Sequence, residues 1–216
     1  MPSDDGRLPS HDGRLPSHEA QATPRTAGLV LAAGGSRRLG QPKQLLPYGE
    51  VTILGHVLGV ARACPFHQLL CVLGGAATDV RARVDLTGAE VIENEGFGEG
   101  CSSSIAAALD AVDPRCEVLV LLLGDQPGVT PATVDALLTG RGEAPMAVCA
   151  YADGRGHPLA FARGLFADLA ALHGDRGVWR LMDRLGDGVA EVPVPGPVPR
   201  DVDTWEDYEA VLAARG

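Results

Sequence analysis

Apolar positions along the chain fall in short runs, and the stretches between the runs carry apolar residues at helical intervals. The runs at 28–33, 68–73, 89–92 and 116–123, interrupted only by Gln68, Glu90 and Glu117, lack the in–out alternation of a half-exposed strand. Strands that are apolar without a break are buried on both faces, as in a parallel sheet lying between two layers of helix. The intervening segments 53–63, 76–84, 101–112 and 131–138 read as helices. The last of these is entered by Thr130 as N-cap with Pro131 at the first helical position. This alternation predicts an α/β fold on a mostly parallel sheet. The second half is less regular. There, 146–150 and 158–161 read as strands flanking a polar turn at 153–157, 165–172 and 178–185 as helices, and 189–194 as a strand. A final helix opens at Asp203-Thr204 and runs to about 214. No linker interrupts 26–216, which is expected to be a single domain.

Residues 1–25 follow a different rule. Asp5-Gly6-Arg7-Leu8-Pro9-Ser10-His11 is repeated as Asp12-Gly13-Arg14-Leu15-Pro16-Ser17-His18. Two copies of seven residues are too few to stack into a repeat fold, and their polar, Pro- and Gly-bearing composition buries nothing. The segment is expected to be a disordered N-terminal extension.

Composition narrows the function. Apolar residues make up 45% of the 216 and aromatic ones only 4%, so the core must be aliphatic. Acidic residues outnumber basic ones 28 to 18, for a net charge of −10. That balance offers no electrostatic footprint for a nucleic acid partner. The most apolar run, Val118-Leu119-Val120-Leu121-Leu122-Leu123, is far too short to cross a bilayer. The polar first twenty residues predict no export, hence a cytoplasmic protein with no membrane partner. The five cysteines have neither disulfide-like nor zinc-like spacing and are expected to be reduced. Cys101, at a helix start, is placed to have a lowered pKa, but no partner histidine can be assigned to it. His56 and His67 read as structural.

Three strand ends carry chemistry, and ligands of open α/β sheets sit beyond such ends. The first is Leu31-Ala32-Ala33-Gly34-Gly35-Ser36-Arg37-Arg38-Leu39-Gly40-Gln41-Pro42-Lys43. Its glycines let backbone N–H groups approach a ligand, and three cations cluster in an otherwise acidic chain. This suggests a triphosphate cradle. It is not a P-loop, because Gln41-Pro42 stand where Lys-Ser/Thr is required, and no G-x-G-x-x-G is present. Lys43 is the sole lysine against seventeen arginines, as expected where a thin ammonium is wanted rather than a guanidinium fork. The second is Leu123-Gly124-Asp125-Gln126-Pro127, an acid at the end of the most buried strand. Such a carboxylate must be paired, hydrogen-bonded or metal-bound, and its hard oxygens suit Mg²⁺. In the third, Asp201-Val202-Asp203-Thr204, Asp203 reads either as a second magnesium ligand or as a helix N-cap, with Thr204 the rival cap. Ser102, Ser103 and Ser104 offer hydroxyls and helix-terminal amides to an anion, or else cap the helix. His157, held extended before Pro158, either touches substrate or finishes a turn. A phosphate cradle, a metal carboxylate and a second acid together suit nucleotidyl transfer, which needs positioning and charge neutralisation more than a covalent nucleophile.

The loop from Leu31 to Lys43 resembles the signature of the nucleotidyltransferases that build molybdopterin dinucleotide cofactors, most of all the molybdenum cofactor cytidylyltransferase branch. The match continues through Asn94, Gly100 with Cys101 to Ser104, Gly124-Asp125-Gln126-Pro127, Gly156-His157-Pro158, Gly174-Asp175 and Asp203-Thr204, covering nearly all of 26–216 in order. The resemblance implies a Rossmann-like three-layer α/β/α sandwich and a Mg²⁺-dependent transfer of CMP from CTP to the molybdenum cofactor, with release of pyrophosphate. It implies Arg38 and Lys43 on the triphosphate and Asp125 and Asp203 on the metal. Leu31, Ala32, Ala33, Gly34, Gly74, Asn94 and Ser104 would hold the nucleotide. Gly156, His157, Asp175 and Arg180 would face the molybdopterin-type acceptor, with a molybdoenzyme apoprotein as receiving partner. Guanylyl-transferring relatives tend to read Leu-Ala-Gly-Gly, so Ala33 favours CTP. One departure concerns the acceptor. Relatives often read Gly-Asp-x-Gly-Ala-Arg, whereas here Arg180 falls one place late after Trp179. A one-residue shift swings a helical side chain by roughly 100°. The alternatives are a related transferase using GTP or another phosphorylated acceptor, and a non-catalytic nucleotide-binding protein that hands a cofactor to a molybdoenzyme.

Overall fold

The computed structural model describes residues 24–215; the tandem heptapeptide lies outside them. Nine strands and seven α-helices are laid out among the described residues. The strands are β1 (Thr26–Ala32), β2 (Pro47–Tyr48), β3 (Val51–Thr52), β4 (Gln68–Leu73), β5 (Glu90–Glu93), β6 (Val118–Leu123), β7 (Met146–Tyr151), β8 (Gly154–Ala162) and β9 (Val189–Pro193). The helices are α1 (Ile53–Arg62), α2 (Ala77–Arg83), α3 (Cys101–Leu109), α4 (Pro131–Arg141), α5 (Phe166–Ala170), α6 (Gly177–Leu185) and α7 (Trp205–Ala213).

Seven strands form one sheet in the order β5-β4-β1-β6-β8-β7-β9. Every pairing is parallel except those of β8, which runs antiparallel to both β6 and β7. Successive side chains of a strand point to opposite faces. In β1, Leu29 and Leu31 enter one core with α3, α5 and α6, while Val30 and Ala32 enter the other with α1, α2 and α4. β6 divides in the same way, with Leu119 and Leu121 against Val118, Val120 and Leu122. Two covered faces explain why these strands, Thr26 and Gly28 of β1 aside, are apolar on both sides, and they make the domain the expected three-layer α/β/α sandwich. A third, smaller core of Leu39, Leu46, Tyr48, Ile53, Val202 and Val211 fastens α7 to the β2–β3 hairpin.

From β1 the chain moves to β4 on one side and later returns to β6 on the other, so the strand order reverses at β1, where an open sheet leaves a crevice beyond its carboxyl ends. Helix entries follow the sequence: Thr52 and Thr130 accept from Gly55 N and Thr133 N as N-caps. Two expectations need correction. Of the polar stretch 153–157 only Asp153 lies in the turn, since β8 begins at Gly154 and Gly154, Arg155 and Gly156 pair with Tyr151, Ala150 and Cys149 beyond a register shift. Backbone pairing outweighs polar composition there, with Gly154 and Arg155 left exposed and Gly156 buried. The β2–β3 hairpin was not anticipated. Each arm has only two residues, too few to show periodicity, and the turn rests on Gly49 at φ +68.

Candidate active site

β1 and β6 are hydrogen-bonded neighbours, and Gly124 N donates to Leu31 O at 2.8 Å just beyond their ends. Asp125 therefore emerges beside the loop that follows β1. A cavity of about 730 Å³ opens there, bordered by Leu31 to Arg38, Lys43, Asp125, Gly156, His157, Asp175, Asp201 and Asp203.

The loop is closed at its neck by side chains. Gln44 Nε2 donates to Ala32 O (2.7 Å) and Gly34 O (3.1 Å), and Lys43 N donates to Ser36 Oγ (2.9 Å). These bonds aim Lys43 inward. Its ammonium donates to Asp125 Oδ2 and, at 2.8 Å, to Asp203 Oδ1, while the Arg38 guanidinium donates to Asp203 Oδ2 at 2.6 Å. Lys43 and Asp125 are nearly buried, with side-chain exposures of 12% and 15%, whereas Arg38 is 66% exposed. The segment carrying Asp203 is tied to the Asp125 loop, since Val202 N donates to Asp125 O (3.2 Å) and Gln126 Nε2 to Pro199 O (3.0 Å). The reading of Asp203 as N-cap is settled by its neighbour. Thr204 caps α7 in a capping box with Asp207, leaving the Asp203 carboxylate free for the cations.

The charges shift accordingly. Burial alone would lower the Lys43 pKa, but the Asp125 and Asp203 carboxylates outweigh it and raise it. The Lys43 hydrogen bond, opposed by partial burial and helped by the Lys43 and Arg38 charges, holds Asp203 below the usual carboxylate range. Asp201 is pushed up to about 6 by burial and by the charge of Asp125. The spacing missed Asp201, although 201 and 203 flank a fully buried Val202. That alternation in extended backbone was the available signal.

Several predicted residues do not reach the cavity wall. Asn94 is buried, with Nδ2 donating to Ser103 and Ser104 Oγ (2.9 and 3.0 Å) and Oδ1 accepting from Gly96 N (2.9 Å), so it braces the loop before α3. Gly74 is covered by Phe97. Arg180 turns to the His173 carbonyl, and Trp179 borders the cavity in its place, edge-on to His157 at 5.8 Å. The serine run is largely committed within the protein: Ser102 Oγ donates to Gly174 O, Ser103 Oγ lies within donating distance of Gly96 O and Gly100 O, and Ser104 borders the cavity. Asp175 borders it too, but one oxygen accepts from Cys101 N at 3.0 Å. Cys101 has no lowered pKa; burial and the Asp175 and Asp125 charges push it up to about 11. Burial pushes the His157 imidazole down to about 4, so it is neutral at pH 7.

Asp125 and Asp203 converge on a single cation and supply hard oxygen donors, a set that suits Mg²⁺ or Mn²⁺. Among the described residues no group of three or more His, Cys, Asp or Glu is arranged to hold a metal. A divalent ion here would have to complete its shell with ligand oxygens or water.

The family described as the MobA-like NTP transferase domain matches residues 28–189. Nicotine blue oxidoreductase of Paenarthrobacter nicotinovorans is 33% identical over 71% of this chain and 79% of its own length. The purine catabolism protein PucB of Bacillus subtilis (strain 168) is 32% identical over 89% of this chain and 98% of its own. A probable molybdenum cofactor guanylyltransferase of Bacillus mycoides (strain KBAB4) is 30% identical over 62% and 66%. Among solved structures, the Rv0371c homolog from Mycobacterium sp. strain JC1 superposes with a TM-score of 0.82 at 53% identity, covering 88% of this chain and 96% of that one. The complex of Rv0371c from Mycobacterium tuberculosis H37Rv with manganese does so with a TM-score of 0.78 at 46% identity, covering 88% and 99%.

Proposed function

The chain belongs to the MobA-like NTP transferase family, and from that premise we propose that it transfers CMP from CTP to a molybdopterin-type acceptor, with Mg²⁺ as the divalent ion and pyrophosphate as the second product. The observation that carries the reading is the convergence of Lys43 with Asp125 and Asp203 beside the glycine-rich loop. A surface ion pair would need neither a sole lysine nor two acids from distant segments.

In the proposed reaction a phosphate oxygen of the acceptor attacks the α-phosphorus in line. The new P–O bond forms as the bond from the α-phosphorus to the bridging oxygen breaks, and that oxygen leaves with pyrophosphate. Lys43 and Arg38 neutralise the negative charge of the triphosphate, and the loop backbone from Leu31 to Gly34 orients the nucleoside. The carboxylate oxygens of Asp125 and Asp203 would hold the divalent ion. Such an ion would supply positive charge against the triphosphate. Gly156, neutral His157 and Asp175 form the acceptor side, with Trp179 standing where an Arg was expected. Manganese in the Rv0371c structure supports a divalent ion. A molybdoenzyme apoprotein in the cytoplasm would receive the product; no helix among the described residues is long and apolar enough to cross a membrane.

GTP in place of CTP is the second reading, favoured by the guanylyltransferase relative. Pyrophosphate release with each nucleotide and isolated molybdenum cofactor tests both. Release with CTP upholds the proposal, and release with GTP alone transfers it to the second reading. Binding without release from any nucleotide favours a cofactor-handover protein. The stabilisation each nucleotide gives in the presence of Mg²⁺ ranks their affinities independently.

A further inference from the structure

Phe97 is one of four large apolar side chains left exposed among the described residues, at 37%, and of the four it alone borders the cavity. It stands on a single 3₁₀ turn, Phe97–Glu99, between β5 and α3. Its ring is seated on backbone. A Cβ at Gly74 would lie 2.9 Å from Phe97 Cβ and Cγ, and one at Gly75 would lie 2.8 Å from its Cζ. Two successive glycines at the carboxyl end of β4 are what allow an aromatic ring to lie there. The Gly74 α-carbon is also hemmed in by Ala33 O, which a Cβ would meet at 2.5 Å. The ring therefore adjoins Ala33, just past the end of β1. In a chain with so few aromatics, Phe161 is wholly buried, yet Phe97 is left open at the mouth of the cavity. Water-exposed aromatic surface is favourably covered by another flat, apolar face.

We propose that Phe97 is the platform on which the nucleobase stacks, with the triphosphate running from it toward Arg38 and Lys43. The proposal rests on the nucleotidyltransferase reading. It explains why Gly74 is needed without touching the nucleotide: it seats the ring that does. Stacking accepts any base, because every base has a π face, so choice among nucleotides is left to the polar edges of the loop.

The test compares wild type, F97L and F97W by calorimetric titration with the four nucleoside triphosphates and with inorganic tripolyphosphate, all with Mg²⁺. Loss of the stack is expected to weaken nucleotide binding roughly 5- to 150-fold in F97L, to leave tripolyphosphate binding and the melting temperature unchanged, and to be reversed in F97W. The added indole of F97W should be quenched by nucleotide and not by tripolyphosphate. If wild type binds nucleotide and F97L binds it equally well, the stack is overturned and the transferase reading stands. If F97L weakens tripolyphosphate as much as nucleotide, Phe97 only props the loop and the proposal fails. If wild type binds no nucleotide, the transferase reading falls with it.

Discussion

The ammonium of Lys43 stands 2.8 Å from the carboxylate of Asp203, 160 residues further along the chain, and the same nitrogen donates to Asp125. One cation thus holds two acids from different loops. Each partner can be removed separately, and the outcomes differ.

Asp125→Asn keeps the shape of the side chain and removes its charge. Turnover is expected to fall about 10²–10³-fold, or roughly 3–4 kcal/mol of transition-state stabilisation, while circular dichroism shows the fold intact. Turnover within a few-fold of wild type would take Asp125 out of the site.

Arg38→Ala separates stability from activity. The guanidinium is two-thirds exposed, and exposed ion pairs contribute only about 0–1 kcal/mol to folding. Urea denaturation should therefore shift little, while kcat/KM drops at least about tenfold. A stability loss without a kinetic one would mark Arg38 as structural.

Thr204→Ala and Asp203→Asn separate a cap from a ligand. Loss of the Thr204 cap should cost about 0.5–2 kcal/mol in denaturant unfolding. Asp203→Asn should leave α7 as stable as before and raise the divalent-ion concentration needed for half-maximal activity. If both variants behave alike, the segment acts only through the helix.

His157 makes stability depend on pH. Its folded pKa is lowered to about 4 from 6.5, so between those values the unfolded chain takes up a proton that the folded chain refuses. Its contribution is complete above about pH 6.5 and declines as pH falls toward 4. Asp201, raised from 3.8 to about 6, acts in the opposite sense over much of the same range, but it is more exposed and its share is smaller. Melting temperatures of wild type and His157→Gln between pH 4 and 7 check this. The wild-type decline on acidification should disappear in the variant; an unchanged slope would mean that the imidazole titrates normally.

The order of strands and helices was legible along the chain because burial on both faces leaves β1, β4 and β6 apolar along most of their length, without in–out alternation, and because Thr130 and Thr204 mark helix starts. Arg38, Lys43, Asp125 and Asp203 stood out in the sequence as cations and lone acids beside glycine-rich loops, and the structure brings their side chains into contact. The placements of Asn94, Gly74 and Arg180 were not. The Asn94 amide finds Ser103, Ser104 and Gly96 at close range, Phe97 covers Gly74, and the turn of α6 decides that Trp179 borders the cavity while Arg180 reaches His173.

By itself, the linear order of residues determined the layered α/β sandwich and the short list of groups able to handle phosphate and metal, because these depend on local periodicity and on side-chain chemistry. Only the tertiary structure decided which of those groups meet. Strand order places β6 beside β1, Val202 N ties the last acidic segment to Asp125, and Gln44 draws the loop neck shut around Lys43. Contacts between residues 82 and 160 positions apart leave no periodic trace in sequence, since they are set by how whole elements pack.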